Sequence, residues 1–121
     1  MLDFSLDAQR SIVHLRPKSA LRKEDFAALA KAVDSHIEAK GSLAGIIIEI
    51  AQFPGWDSLG AMVAHFRFVR DHHTKVKKIA VVTDAMIGDL AEKLASHFIA
   101  AEIKHFPAGQ AKAAEEWIAG P

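Results

Sequence analysis

Leu43-Ala-Gly-Ile-Ile-Ile-Glu-Ile-Ala-Gln-Phe-Pro-Gly-Trp-Asp-Ser-Leu-Gly60 decides the fold. Its first half is a β-branched run closed by Pro54-Gly55, the pattern of a strand covered on both faces. Asp57 then suits the N-cap of a second helix, expected to reach about Asp71. Glu49, Gln52, Asp57 and Ser58 gather just past the strand. In open α/β sheets, ligands and partners are met at that carboxyl edge.

Outward from this stretch the pattern alternates. Residues 2–7 place Leu2, Phe4 and Leu6 opposite Asp3, Ser5 and Asp7, and residues 11–16 alternate as well, so a hairpin is expected around Ala8-Gln9-Arg10. A first helix is expected over Lys23–Lys40, where Phe26, Leu29, Ala30, Val33 and Ile37 make one apolar stripe. Glu24 and Asp25 suit its positive end, Lys40 its negative end, and Gly41 a left-handed stop. The second helix shows a core stripe of Leu59, Met62, Val63, Phe66 and Val69. Further strands are expected over 77–83 and 103–106, and further helices over 87–98 and 110–119. The last helix should bury Ala114, Trp117 and Ile118. Helix and strand alternation after a hairpin gives an α/β domain: a mixed five-stranded sheet with about four helices packed on it.

The chain has 121 residues, the size of one domain. Fifteen basic residues balance fifteen acidic ones, so no global field attracts nucleic acid. There is no cysteine, which excludes disulfides and thiolate chemistry. The N-terminus lacks the basic start and apolar run of a signal peptide, and no apolar stretch approaches the roughly 20 residues that span a bilayer. The expectation is a cytoplasmic protein.

Ile46-Ile-Ile-Glu-Ile50 followed by Phe53-Pro-Gly-Trp-Asp57, then Lys77-Lys-Ile-Ala-Val-Val82, His105-Phe-Pro and Ala113-Ala-Glu-Glu-Trp-Ile118, carry a resemblance over nearly the whole chain. It resembles the STAS domain of bacterial anti-sigma-factor antagonists, and more closely the SpoIIAA-like branch (STAS/SEC14, CRAL-TRIO-like), whose members are mostly uncharacterised. In those antagonists a serine after an aspartate at this helix start is phosphorylated by a partner kinase. The resemblance therefore implies Ser58 as a candidate phosphosite, with Asp57 before it and Gly60 where the motif keeps a glycine. Leu59 departs from the small hydroxyl residue that follows in the motif.

Two binding expectations stand beside the phosphosite. Glu49, Gln52, Phe53, Trp56, Asp57 and Asp84 are expected to converge on a strand-end pocket for a small apolar or amphipathic, lipid-like ligand. His65, Arg67, Phe68, Arg70 and His72 are expected to form a second, outward face of the second helix. That face would serve peripheral contact at the inner membrane surface or a homodimer. His72 and His73 diverge by about 100° on a helix, and no further ligands converge with them, so no metal is expected. No Gly-x-Ser-x-Gly elbow, P-loop or Gly-x-Gly-x-x-Gly is present, so neither an enzyme nor a cofactor is expected. The leading expectation is a non-enzymatic binding module for an amphipathic ligand. The alternative is a protein-interaction module of the anti-sigma-antagonist type, switched at Ser58.

Overall fold

The computed structural model describes residues 2–50, 55–84 and 102–120, the side chain of His73 excepted. The strands are β1 (Leu2–Asp7), β2 (Ile12–Pro17), β3 (Leu43–Glu49), β4 (Val76–Val82) and β5 (Glu102–Phe106). They lie in one sheet in chain order, β1 antiparallel to β2 and the remaining neighbours parallel. The described residues hold three α-helices rather than four: α1 (Lys23–Lys40), α2 (Leu59–His72) and α3 (Ala111–Ala119). The helix expected over 87–98 lies outside the described residues.

Caps explain why α1 coincides with its expected range. Asp25 accepts from the backbone N–H of Arg22 at 2.8 Å, closing the first turn. Gly41, at φ 90°, donates back to Ile37 O at 2.6 Å and ends the helix. Burial alone would raise the Asp25 carboxyl, but hydrogen bonds from the Arg22 backbone and guanidinium and from the Leu2 backbone outweigh it. The net shift is downward. A depressed carboxylate gives stability that is complete above its unfolded value, about 4, and is lost as pH falls below that through the folded value. Acid titration of the urea midpoint should show this loss in wild type, and a smaller one in Asp25→Asn.

Two cores flank the sheet. On one face, Phe26, Leu29 and Val33 of α1 and Phe68 and Val69 of α2 pack with Val13, Leu43, Ile46, Ile79 and Val81. On the other, Ala114 and Ile118 of α3 pack with Ile12, Ile47, Ala80, Val82 and Phe106. Leu43 and Ile47 lie four residues apart, yet they belong to opposite cores. Val76 and Ala80 of β4, their register partners, divide between the cores in the same way, and at this point of β3 the N–H groups of Ala44 and Gly45 both reach the carbonyl of Ser11, at 2.8 and 3.3 Å. Ser11 itself has the left-handed φ of 62°. Its hydroxyl accepts from Ala44 N–H, lies 3.1 Å from Ser42 O and meets Nε2 of the buried His36 at 2.6 Å. Beyond this point Ile47 faces α3, and Glu49, two residues on, lies on the same face.

α2 is rotated from its expected orientation. Ala61, Phe68, Val69 and His72 are buried, whereas Leu59, Val63 and Phe66, expected in the core, are 72, 44 and 39% exposed. Apolar residues wind around most of this helix, so either stripe could turn inward. Ala61 is fully buried, and its small side chain lets the backbone approach closely. His72 bonds Phe68 O through Nδ1 and Asp34 Oδ1 of α1 through Nε2, both at 2.6 Å. The His72 ring is buried whereas the Asp34 side chain is 64% exposed, so it is the loss of Asp34 that leaves a buried polar group without its partner. Asp34→Ala is expected to cost about 1–3 kcal/mol in urea unfolding. Arg70→Ala, at a 71% exposed side chain, should stay within about 0.5 kcal/mol.

Candidate functional site

The start of α2 is built by two neighbouring chain segments. Leu21, just before α1, donates to Gly55 O at 2.8 Å and accepts from Asp57 N–H at 2.9 Å, a one-residue parallel bridge centred on Leu21 and Trp56. The entries to α1 and α2 are thereby tied together, with both helices pointing the same way from the carboxyl end of the sheet. Trp56 turns inward. Its Nε1–H donates to His65 Nδ1 at 3.1 Å, His65 stacks on Phe26 at 4.9 Å, and Phe66 meets the Trp56 ring edge-on at 5.8 Å. Trp56 is thereby packed against the α1–α2 core, while Phe66 covers its outer edge and stays partly exposed.

Ser58, not Asp57, caps α2. Its Oγ accepts from Ala61 N–H at 3.1 Å and its carbonyl from Met62 N–H at 3.3 Å. Ser58 is exposed, and so is Asp57 before it. Leu59 follows directly and opens an apolar strip that continues through Val63. Together with Ala27 of α1, Gly60 and Ala64, the strip floors an open depression of about 640 Å³, with Lys23, Glu24 and Arg67 on its rim. Exposed large apolar side chains that adjoin one another are informative in a way that single ones are not.

The expected strand-end pocket is not assembled from the described residues. Glu49 bonds His14 Nε2 at 2.9 Å and lies 3.6 Å from Arg16 Nε. His14 pairs in register with Ile47, so this polar group occupies the α3 face of the sheet, while Trp56 belongs to the α1–α2 face. Glu49 and Trp56 are therefore separated by the sheet itself. Asp84 accepts from Ala108 N–H at 2.9 Å and fixes the loop after β5. Gln52 and Phe53 lie outside the described residues. Of the expected outer face of α2, only Arg67 and Arg70 are exposed; Phe68 and His72 are buried, and His65 is engaged with Trp56 and Phe26.

A second polar group surrounds His14. Arg16 Nη2 donates to His14 Nδ1 at 3.2 Å, and Arg10 reaches Glu115 at 3.4 Å across a hollow of about 230 Å³ beside Ser5. Its charges are already matched to one another, so it offers a ligand less than the apolar strip does. Among the described residues no cluster of three or more His, Asp or Glu could hold a metal ion, and no helix is long and apolar enough to cross a membrane.

The sequence matches the profile of the SpoIIAA-like family over residues 12–119. No functionally curated protein matches it. The fold is similar to the crystal structure of an uncharacterised protein of the DUF3478 family from Shewanella loihica PV-4, which has a SpoIIAA-like fold. The TM-score is 0.70 at 19% identity, covering 98% of this chain and 92% of that one.

Proposed function

The chain belongs to the SpoIIAA-like family, and from that premise we propose that it is a non-enzymatic interaction module. Its working surface is the outer face of α1 and α2, and it is switched at Ser58. The observation that carries this reading is the juxtaposition of an exposed serine at a helix N-cap with Leu59, 72% exposed, and the apolar depression beyond it. A partner that buries Leu59 and Val63 must lie against Ser58. A phosphate on the Ser58 oxygen keeps acceptor atoms beside the free N–H groups of the first turn, where the helix dipole favours negative charge. It also sets a dianion at the edge of an apolar contact, which opposes burial of that contact. The unmodified form then binds and the modified form is released.

The test uses anti-sigma-factor serine kinases from the same genome. The expected result is a complex that co-elutes on gel filtration and, with ATP, a one-phosphate mass gain that maps to Ser58 and is absent in Ser58→Ala. Absence of both complex and phosphate with every such kinase overturns the proposal.

A second reading has its own support. The apolar floor with Lys23 and Arg67 on the rim suits an anionic amphipathic molecule, the ligand class expected from the sequence but at a different place. Native mass spectrometry decides it: a retained lipid-sized mass lost in Val63→Glu favours this reading, and a bare chain mass removes it.

A further inference from the structure

We propose that the exposed strip of α2 is also the contact between two copies of this chain, packed as an antiparallel α2–α2 pair about a two-fold axis. Leu59, Val63, Phe66 and Arg70 recur at helical spacing along one side of α2, and the first three are the exposed large apolar residues of the described chain. An isologous contact requires a surface complementary to itself, so that if residue i meets j, j also meets i. This strip satisfies that condition about a point between Ala64 and His65. Val63 of one copy then faces Phe66 of the other and Phe66 faces Val63, which buries the apolar centre twice. Leu59 lies along the stem of the other copy's Arg70.

The charges agree with the same register. Asp57 lies at the amino end of the strip and Arg67 and Arg70 toward the carboxyl end, while Lys23 and Glu24 on the rim offset each other. Asp57 stands just before the capping Ser58, exposed at the amino end of the helix. The Arg70 guanidinium of the other copy can therefore reach it. Among the described residues Arg70 meets its neighbour Asp71, at 3.0 Å, through side chains 71 and 50% exposed. A parallel arrangement would instead oppose like charges at both ends. One helical strip buries little area, so the dimer is a weak one with rapid exchange.

The inference does not rest on the partner reading. The two occupants share a face, so a kinase complex draws on the monomer. Loss of the dimer with an intact kinase complex refutes only the dimer, and the converse result refutes only the partner. Sedimentation equilibrium on the full chain, from about 10 µM to about 1 mM, provides the test. Wild type should pass from monomer to dimer. Val63→Glu, at an already exposed position that leaves folding intact, should weaken association at least tenfold, as should Arg70→Glu. The charge-reversed pair Arg70→Glu with Asp57→Arg should restore it. A monomer at every concentration, a dimer indifferent to both single substitutions, or a charge reversal without rescue each overturns the proposal. So does a monomer that floats with anionic phosphatidylglycerol vesicles in a Val63-dependent way, because a lipid surface would then be the occupant.

Discussion

Gly45→Val is expected to cost the fold about 3 kcal/mol, the upper part of the range for overpacking a filled core. A methyl group built on Gly45 would lie 2.6–2.9 Å from three carbons of the Ile118 side chain, closer than van der Waals contact allows. Ile118 is 4% exposed and wedged between α3 and the sheet, so it cannot swing into solvent without lifting the helix. Against a total stability of about 5–15 kcal/mol, such a loss lowers the melting temperature by roughly 10 °C. Trp117 reports the site of damage, since its ring sits near Lys78 Nζ and Phe106, at 5.0 and 5.9 Å. Its emission should shift red at temperatures where α1 remains folded. Ile118→Ala should be costly alone yet recover part of the loss when combined with Gly45→Val, the sign of direct coupling. A neutral Gly45→Val would mean that α3 does not rest on β3 as described.

Leu59→Glu is expected to leave stability within about 0.5 kcal/mol of wild type, because the side chain is already 72% exposed. Its effect should fall on binding instead. A carboxylate at the centre of an apolar contact, beside the capping Ser58, is expected to weaken a partner complex at least tenfold, about 1.4 kcal/mol. Glu49→Gln makes the contrast. It removes a charge from the His14–Arg16 group on the opposite face of the sheet and should leave partner affinity unchanged. Calorimetric titration of a cognate serine kinase with the two variants separates the faces. Loss of affinity in Glu49→Gln with none in Leu59→Glu would return the site to the strand-end pocket expected from the sequence.

The parts of the fold legible in the sequence were those with local signals. α1 coincides with its expected range because Asp25 and Gly41 close it from inside the same segment. β3 was legible because its Ile46–Ile48 run admits no other element of that length. The rotation of α2 was not legible. Leu59, Val63 and Phe66 make as good an apolar stripe as Ala61, Phe68 and Val69, and the choice is made by tertiary partners. These are the close fit of Ala61 and the bond from His72 to an aspartate 38 positions earlier. The described residues of the expected pocket lie apart for a similar reason. Strict alternation from Leu43 hides the change of face between Leu43 and Ile47, which puts Glu49 on the α3 side of the sheet. His14 and Arg16, the partners of Glu49, come beside it only once β2 and β3 are paired in register. The start of α2 was legible to within one residue because a helix cap is a local device, although the cap is the serine itself rather than the aspartate before it.

Hydrogen–deuterium exchange of the free chain and of its complex with a cognate serine kinase tests most directly where the working surface lies. New protection is predicted over Lys23–Ala27 and Ser58–Arg67, with none over β2 or at Glu49. Protection confined to the strands that carry His14, Arg16 and Glu49 would contradict the assignment.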